Sequence, residues 1–194
     1  MRVFVALPLP EEARRKALRL QQALRERVDP AGRLGRLVRE ENLHLTLAFI
    51  GEVPEASARR IAAAMREISP ERIAWQLTRI GEFGARSIWA GMERPESTQS
   101  LARIERMGRR VRSRLVELGA AHDERPLRPH VTIARGWRGP GREEIERALT
   151  DILLEARTDE ADEAPAQAAL FESWRDAAGD VRYRVVDGSG PHLR

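Results

Sequence analysis

Four residues in two short runs carry the chemistry this chain can offer. Residues 43–50 read Leu-His-Leu-Thr-Leu-Ala-Phe-Ile, and residues 129–135 read Pro-His-Val-Thr-Ile-Ala-Arg. Each run holds a His and a Thr two positions apart among aliphatic residues: His44 with Thr46, and His130 with Thr132. Two of the chain's four His stand in this frame. Imidazole titrates at about pH 6.5, so of a facing pair one ring can be neutral and the other protonated near neutrality. Hydroxyls beside them can donate hydrogen bonds to an anion. Hydrolysis of a phosphodiester needs that set. Water is activated on one side, the departing sugar oxygen is protonated on the other, and Thr hydroxyls hold the non-bridging oxygens. One such run alone is more often structural, a satisfied His beside a Thr chosen for its strand propensity. The repetition favours a functional pair.

Other chemistries find less support. Two His make an incomplete zinc shell, which usually takes at least three protein ligands. No H-E-x-x-H pattern is present, and no carboxylate lies between His and Thr in either run. There is no G-x-S-x-G elbow, no Walker loop and no G-x-G-x-x-G. The absence of Cys excludes disulfides, thiolate metal sites and Cys nucleophiles, and fits a reducing cytoplasm.

Both runs have the composition of strands, and side chains alternate faces along a strand. His44 and Thr46 then share one face while Leu45 and Leu47 take the other. His130 and Thr132 share a face, with Val131 and Ile133 behind them. Around these runs the pattern predicts a first strand over Arg2–Leu7 and a helix from Pro10 to about Val28. A short strand over Arg36–Arg39 is a hairpin partner for the first run. A helix follows Pro54 and stops at Ser69-Pro70. Ile73–Phe83 and Ser87–Met92 read as an antiparallel pair around Gly84. The longest helix begins at Pro95 and Glu96 and is capped by Gly119, with Arg103, Arg106, Arg110, Arg112 and Arg114 on a solvated face. A fourth helix spans Glu143–Glu155, and Arg157–Pro165 is a loose acidic connection. Ala166–Trp174 and Val181–Val186 make a last hairpin. A tail containing His192 starts at about residue 188. The expected fold is α+β with an internal echo: two pseudo-two-fold-related antiparallel sheets flanked by helices, meeting at a central cleft.

The 194 residues suit one domain, or two small lobes sharing a cleft, and 42% hydrophobic residues supply a core. No apolar run is long enough for a membrane span. The net charge is +4, carried almost wholly by Arg, with Lys16 the only Lys. Arg suits phosphate because its fork makes paired hydrogen bonds. The charge permits a nucleic-acid partner without demanding one.

The runs and their surroundings resemble a known family. Met-Arg-Val-Phe-Val-Ala-Leu at the start, Glu-Asn-Leu-His-Leu-Thr-Leu-Ala-Phe-Ile-Gly-Glu-Val at 41–53, Ile-Trp-Ala-Gly at 88–91 and Arg-Pro-Leu-Arg-Pro-His-Val-Thr-Ile-Ala-Arg at 125–135 look like the RNA 2′,3′-cyclic phosphodiesterases of the two-histidine phosphoesterase superfamily. The resemblance covers nearly the whole chain and is weakest from about residue 155. It implies a bilobal fold over residues 1–194 with a central cleft. It implies no cofactor and no required metal, a cytoplasmic monomer, and no membrane partner. The implied substrates are RNA ends bearing a 2′,3′-cyclic phosphate, tRNA fragments among them, or cyclic nucleotides. By the same resemblance His44 is the general acid, His130 the general base, and Thr46 and Thr132 bind phosphate. Arg135 closes the second motif as a phosphate contact or, alternatively, a structural ion pair. Simple alternation puts Arg135 on the face opposite His130, so a twist or bulge is needed to bring it round. Phe83 and Trp137 are expected as stacking residues for a base or as packed core. A binding module without chemistry, or an enzyme for small cyclic nucleotides or 2′-5′ linked oligonucleotides, remains the alternative.

Overall fold

A continuous apolar run makes β1 (Arg2–Pro8) a strand buried on both faces, with Val3, Val5 and Leu7 on one and Phe4 and Ala6 on the other. Pro10 then ends the extended segment, and α1 (Glu11–Arg27) starts with Glu11 and Glu12 in its first turn, where the helix dipole favours them. β2 (Arg36–Leu37) and a 3₁₀ turn (Glu40–Asn42) lead into β3 (His44–Glu52). There follow α2 (Glu55–Arg66), β4 (Glu71–Ala74), β5 (Arg79–Phe83), β6 (Ser87–Gly91) and α3 (Thr98–Glu117). The rest is β7 (Val131–Arg135), α4 (Arg142–Ala148), α5 (Thr150–Thr158), β8 (Glu163–Ala166), β9 (Ala169–Arg175) and β10 (Val181–Val185). The computed structural model describes residues 1–84, 86–93, 97–158 and 163–187.

The main sheet has the order β10-β9-β1-β3-β7-β6-β5, with β2 beside β7, and every neighbouring pair is antiparallel. One lobe holds β10-β9-β1-β3. The other holds β7-β6-β5 and β2. Within the sheet they join through a single residue pair, Leu45↔Val131. An antiparallel pair is itself related by a two-fold axis, so this pair marks the pseudo-dyad that exchanges the two His-x-Thr strands. The helices cover one face of the sheet, where Leu45, Leu47, Val131 and Ile133 pack in one core with Leu20 and Leu24 of α1, Ile61 and Met65 of α2, and Ile104, Met107 and Val111 of α3. The other face carries the polar residues of both runs and a small separate cluster of Phe4, Ala6 and Phe171. Among the described residues no helix is long and apolar enough to cross a membrane.

Several expectations need correction. β2 pairs with β7, the second run, through Arg36↔Arg135 and Leu37↔Ala134; it is not a partner of the first run. β3 touches β7 at one pair only, which leaves the rest of that edge of β7 for β2. The apolar stretch 73–83 is two strands: β4 turns away to a separate two-stranded sheet with β8, while β5 pairs with β6 around Gly84. The fourth helix is broken at Leu149, whose φ of −111° and ψ of 11° leave the helical range. The Thr150 hydroxyl donates to the Glu146 carbonyl there, a back-bond of the kind that bends helices. The connection at 157–165 is shorter than expected, since α5 runs to Thr158 and β8 begins at Glu163. Gly119 does follow α3, at φ 66°, with Ala120 N–H donating to the Leu115 carbonyl. The helix start at Pro95 and Glu96 and the tail with His192 lie outside the described residues.

Candidate active site

Leu45 and Val131 point into the core, so their neighbours His44, Thr46, His130 and Thr132 project on the opposite, helix-free face. Continuing the register by one residue sets His44 opposite Thr132 and Thr46 opposite His130. The two imidazoles are then diagonal neighbours, a relation that puts Cα atoms about 7–8 Å apart across a strand pair.

Each strand departs from regular pairing just after its Thr. In β3, Thr46 pairs with Ala6 and Ala48 with Val5, leaving Leu47 as the extra residue of a bulge. In β7, Thr132 pairs with Trp89 and Ala134 with Ile88, leaving Ile133 extra. A one-residue bulge reverses the alternation beyond it. Arg135, paired with Ser87, therefore lies on the face of Thr132 and His130, as the second motif requires. By the same device Phe49, paired with Phe4, comes round to the face of His44 and Thr46. Phe49 and Arg135 are thus pseudo-symmetric counterparts. On the other edge of β7 the Ile133 carbonyl accepts from the Val38 N–H at 2.9 Å, continuing the β2 register, and from the buried Gln21 side chain at 2.7 Å.

Both His rings are held alike. His44 Nδ1 lies 2.7 Å from the Asn42 carbonyl oxygen, and His130 Nδ1 lies 2.6 Å from the Arg128 carbonyl oxygen. A carbonyl can only accept, so each Nδ1 carries a proton, and Nε2 is the nitrogen left for chemistry. Each ring also leans on aromatics. His44 stands 4.9 Å from Phe4, 5.1 Å edge-on from Tyr183 and 5.9 Å from Phe171, between ring centroids. His130 stands 4.8 Å edge-on from Phe83 and 5.9 Å from Trp89. Trp89 lies flat over Gly81, where a Cβ would fall 1.9 Å from the indole. Burial in these nests pushes the His44 pKa down to about 4, with smaller contributions from the Arg135 and His130 charges, against the opposing Asn42 bond. Burial first, and then Arg135, lowers that of His130, against the Arg128 bond. In the ligand-free protein both rings are therefore neutral at pH 7.

A cleft of about 560 Å³ opens beside them, lined by Thr46, Thr132, His130 and Arg135 together with Phe49 and Phe83. His44 does not line it. A smaller groove of about 110 Å³ is walled by Asn42 and Tyr183, which both contact His44, and Arg135 borders both spaces. Among the described residues neither Thr hydroxyl makes a hydrogen bond, and Arg135 makes no ion pair, so the structural reading of Arg135 lacks a partner. Trp137 is 2% exposed and donates to the Pro140 carbonyl, so it is core and offers no stacking surface. Of the helix-α3 arginines, Arg103, Arg106, Arg110 and Arg114 pair with carboxylates on the surface, whereas Arg112 turns into the cleft. Sequence reading overlooked Phe4, Trp89, Phe171 and Tyr183 because their contacts with the two His come from strands distant in the chain. Phe49 had a signal, its place in an echo of the second run, where Arg135 stands.

Two lobes joined at paired imidazoles, with free hydroxyls and an unpaired guanidinium on one face, define the class: a two-histidine phosphoesterase. The family model for LigT-like phosphoesterases matches residues 7–89. An RNA 2′,3′-cyclic phosphodiesterase of Escherichia coli (strain K12) is 30% identical over 135 residues, covering 69% of this chain and 71% of the relative. One from Methanothermobacter thermautotrophicus is 32% identical over 141 residues, covering 70% and 71%. One from Geobacillus stearothermophilus is 31% identical over 156 residues, and the match spans 75% of this chain but 46% of that longer relative. A crystal structure of a phosphoesterase superposes with a TM-score of 0.67 at 25% identity over 96% of this chain and 95% of the other. E. coli LigT complexed with 3′-AMP has the same fold, at a TM-score of 0.66 and 24% identity over 96% and 95%. The chain belongs to the LigT-like phosphoesterase family.

Proposed function

We propose that this protein opens 2′,3′-cyclic phosphates at RNA ends to 2′-phosphates, as one two-lobed unit. The observation that carries the reading is the matched anchoring of His44 and His130 on either side of the Leu45↔Val131 pair, each with Nδ1 tied to a carbonyl and Nε2 left free. In the forward reaction His130 Nε2 takes a proton from water as its oxygen attacks phosphorus. The P–O3′ bond breaks, and His44 Nε2–H protonates the departing 3′ oxygen. The product keeps its phosphate on the 2′ oxygen. Thr46 and Thr132 donate to the non-bridging oxygens, and Arg135 balances the charge that gathers on them. His44 is neutral in the free protein, so its acid form must arise with the anion in place, because a negative phosphate raises the pKa of a facing imidazole.

The relatives from E. coli and M. thermautotrophicus are RNA 2′,3′-cyclic phosphodiesterases, which supports the same substrate class. The test is a short RNA with a 2′,3′-cyclic end, incubated in EDTA. Conversion to a 2′-phosphate is expected; no turnover, or a 3′-phosphate product, sinks the reading. His44→Ala and His130→Ala are each expected to lower kcat by about a hundredfold or more, the usual scale of a lost acid or base.

A further inference from the structure

The main cleft runs past His130 to a second positively charged wall, which the phosphate-opening step leaves unused. Four arginines line the cleft, Arg112, Arg125, Arg128 and Arg135, against one carboxylate, Asp123. That carboxylate is already occupied. It accepts from the Arg125 side chain at 2.5 to 3.0 Å and from the Arg125 N–H at 3.0 Å, and these bonds hold its pKa down to about 2. Arg128 has an exposed guanidinium with no hydrogen bond and no ion pair among the described residues. Arg112 reaches in from α3, donates once to the Arg125 carbonyl at 2.8 Å and makes no ion pair. Its Nε–H is buried with no acceptor. The nearest negative charge, on Asp123, is bonded to Arg125 and feels Arg112 only at longer range, so the unmatched Arg112 donor carries a cost that a bound anion relieves.

We infer that Arg112 and Arg128 form a second anion subsite, which takes the 5′-phosphate of the nucleotide whose 2′,3′-phosphate lies at the histidines. The inference rests on the functional reading above and adds the substrate's shape. An RNA end presents two phosphates on its last nucleotide, one cyclic and one linking back to the chain, whereas a free cyclic nucleoside presents one. The cleft volume lies within the range of about 300–1,000 Å³ typical of small-molecule sites, so it exceeds the needs of a single phosphate. Phe49, 52% exposed, lines the same cleft, so a nucleoside spanning the two anion sites passes an open aromatic face. Loop 120–130 is tied to that wall. Asp123 N–H donates to the Phe49 carbonyl at 2.8 Å, and the Arg128 carbonyl accepts the His130 proton, so the second subsite is built rigidly onto the first.

Calorimetric binding of adenosine 2′-phosphate and adenosine 2′,5′-bisphosphate at fixed salt tests this without needing turnover. The wild-type protein is expected to bind the bisphosphate about tenfold or more tightly, the scale of a charge-assisted contact. Arg128→Gln and Arg112→Gln are each expected to shrink that gap to about threefold or less, while Arg110→Gln, on the solvent side of α3, leaves it intact. Arg128→Gln removes an exposed side chain and keeps the carbonyl that holds His130, so it stands as the decisive variant if Arg112→Gln fails to fold. A wild-type gap below about threefold, or one that persists undiminished in Arg128→Gln, overturns the inference. Turnover of cyclic-ended RNA is followed in parallel. No turnover with the binding gap intact discards the enzymatic reading and keeps a two-anion nucleotide site.

Discussion

His44 and His130 share an ordinary residue type, but their surroundings set the protonation chemistry. Desolvation by Phe4, Phe171 and Tyr183 lowers the His44 pKa from 6.5 to about 4. A folded pKa below the unfolded one means that the unfolded chain takes up the proton first as pH falls. The contribution of His44 to stability is therefore complete above about pH 6.5 and is lost as pH drops from there toward 4. Urea denaturation at pH 7 and pH 5 should show the wild-type protein losing stability, and His44→Gln losing less of it. Equal losses in both proteins sink the assignment. Bound anion should reverse the shift: NMR titration is expected to show both imidazole pKa values rising when a nucleoside 2′-phosphate is added. Imidazoles that ignore the ligand do not face it.

At the scale of elements, the two bulges decide which residues reach the cleft. Behind the bulge at Ile133, its carbonyl accepts from the Val38 N–H and the Gln21 Nε2 donor, and Gln21 also donates to the Val38 carbonyl at 2.7 Å. Gln21→Met keeps the volume and removes both side-chain donors. It is expected to cost about 1–3 kcal/mol in chemical denaturation, because the Val38 carbonyl loses its side-chain donor while the Ile133 carbonyl keeps only the Val38 N–H. It should also weaken phosphate binding, because Arg135 lies two residues beyond the bulge. Unchanged phosphate affinity in a destabilised variant would show that the bulge does not position Arg135. On the neighbouring strands, Gly81→Ala places a methyl group inside the Trp89 ring volume. The indole must move, and it packs against both Phe83 and His130. Loss of about 1–3 kcal/mol, with reduced turnover, is the expected result; wild-type kinetics would show that the Trp89 position is irrelevant to His130.

For the whole molecule, one residue pair joins the two halves of the sheet, above a core that both lobes share. Leu45 and Val131 are fully buried, and the strands they belong to touch nowhere else in the sheet. Leu45→Ala is expected to cost about 2–5 kcal/mol in denaturation, the usual range for a buried large-to-small change. It should also lower turnover beyond what reduced folding explains, since the same pair sets the spacing of the two imidazoles. A variant that loses stability but keeps kcat would separate the hinge from the chemistry. The first lobe is assembled from both ends of the described chain: β1 and β3 come early, while β9 and β10 supply Phe171 and Tyr183 to the His44 nest.

The paired His-x-Thr runs, the strand character of each and the α+β alternation were legible in the residues alone, because they are local patterns of period two and of helical spacing. The need for a bulge before Arg135 was legible too, since alternation by itself points that side chain the wrong way. Where the bulge falls, that Phe49 shares its fate, and that β2 sides with β7 were not. Nor were the aromatic nests that lower both imidazole pKa values, or the turn of Arg112 away from solvent. Those depend on which distant strands lie side by side. Strand pairing is a long-range choice, made by burying Leu45 and Val131 together in one core, and no short stretch of this chain records it.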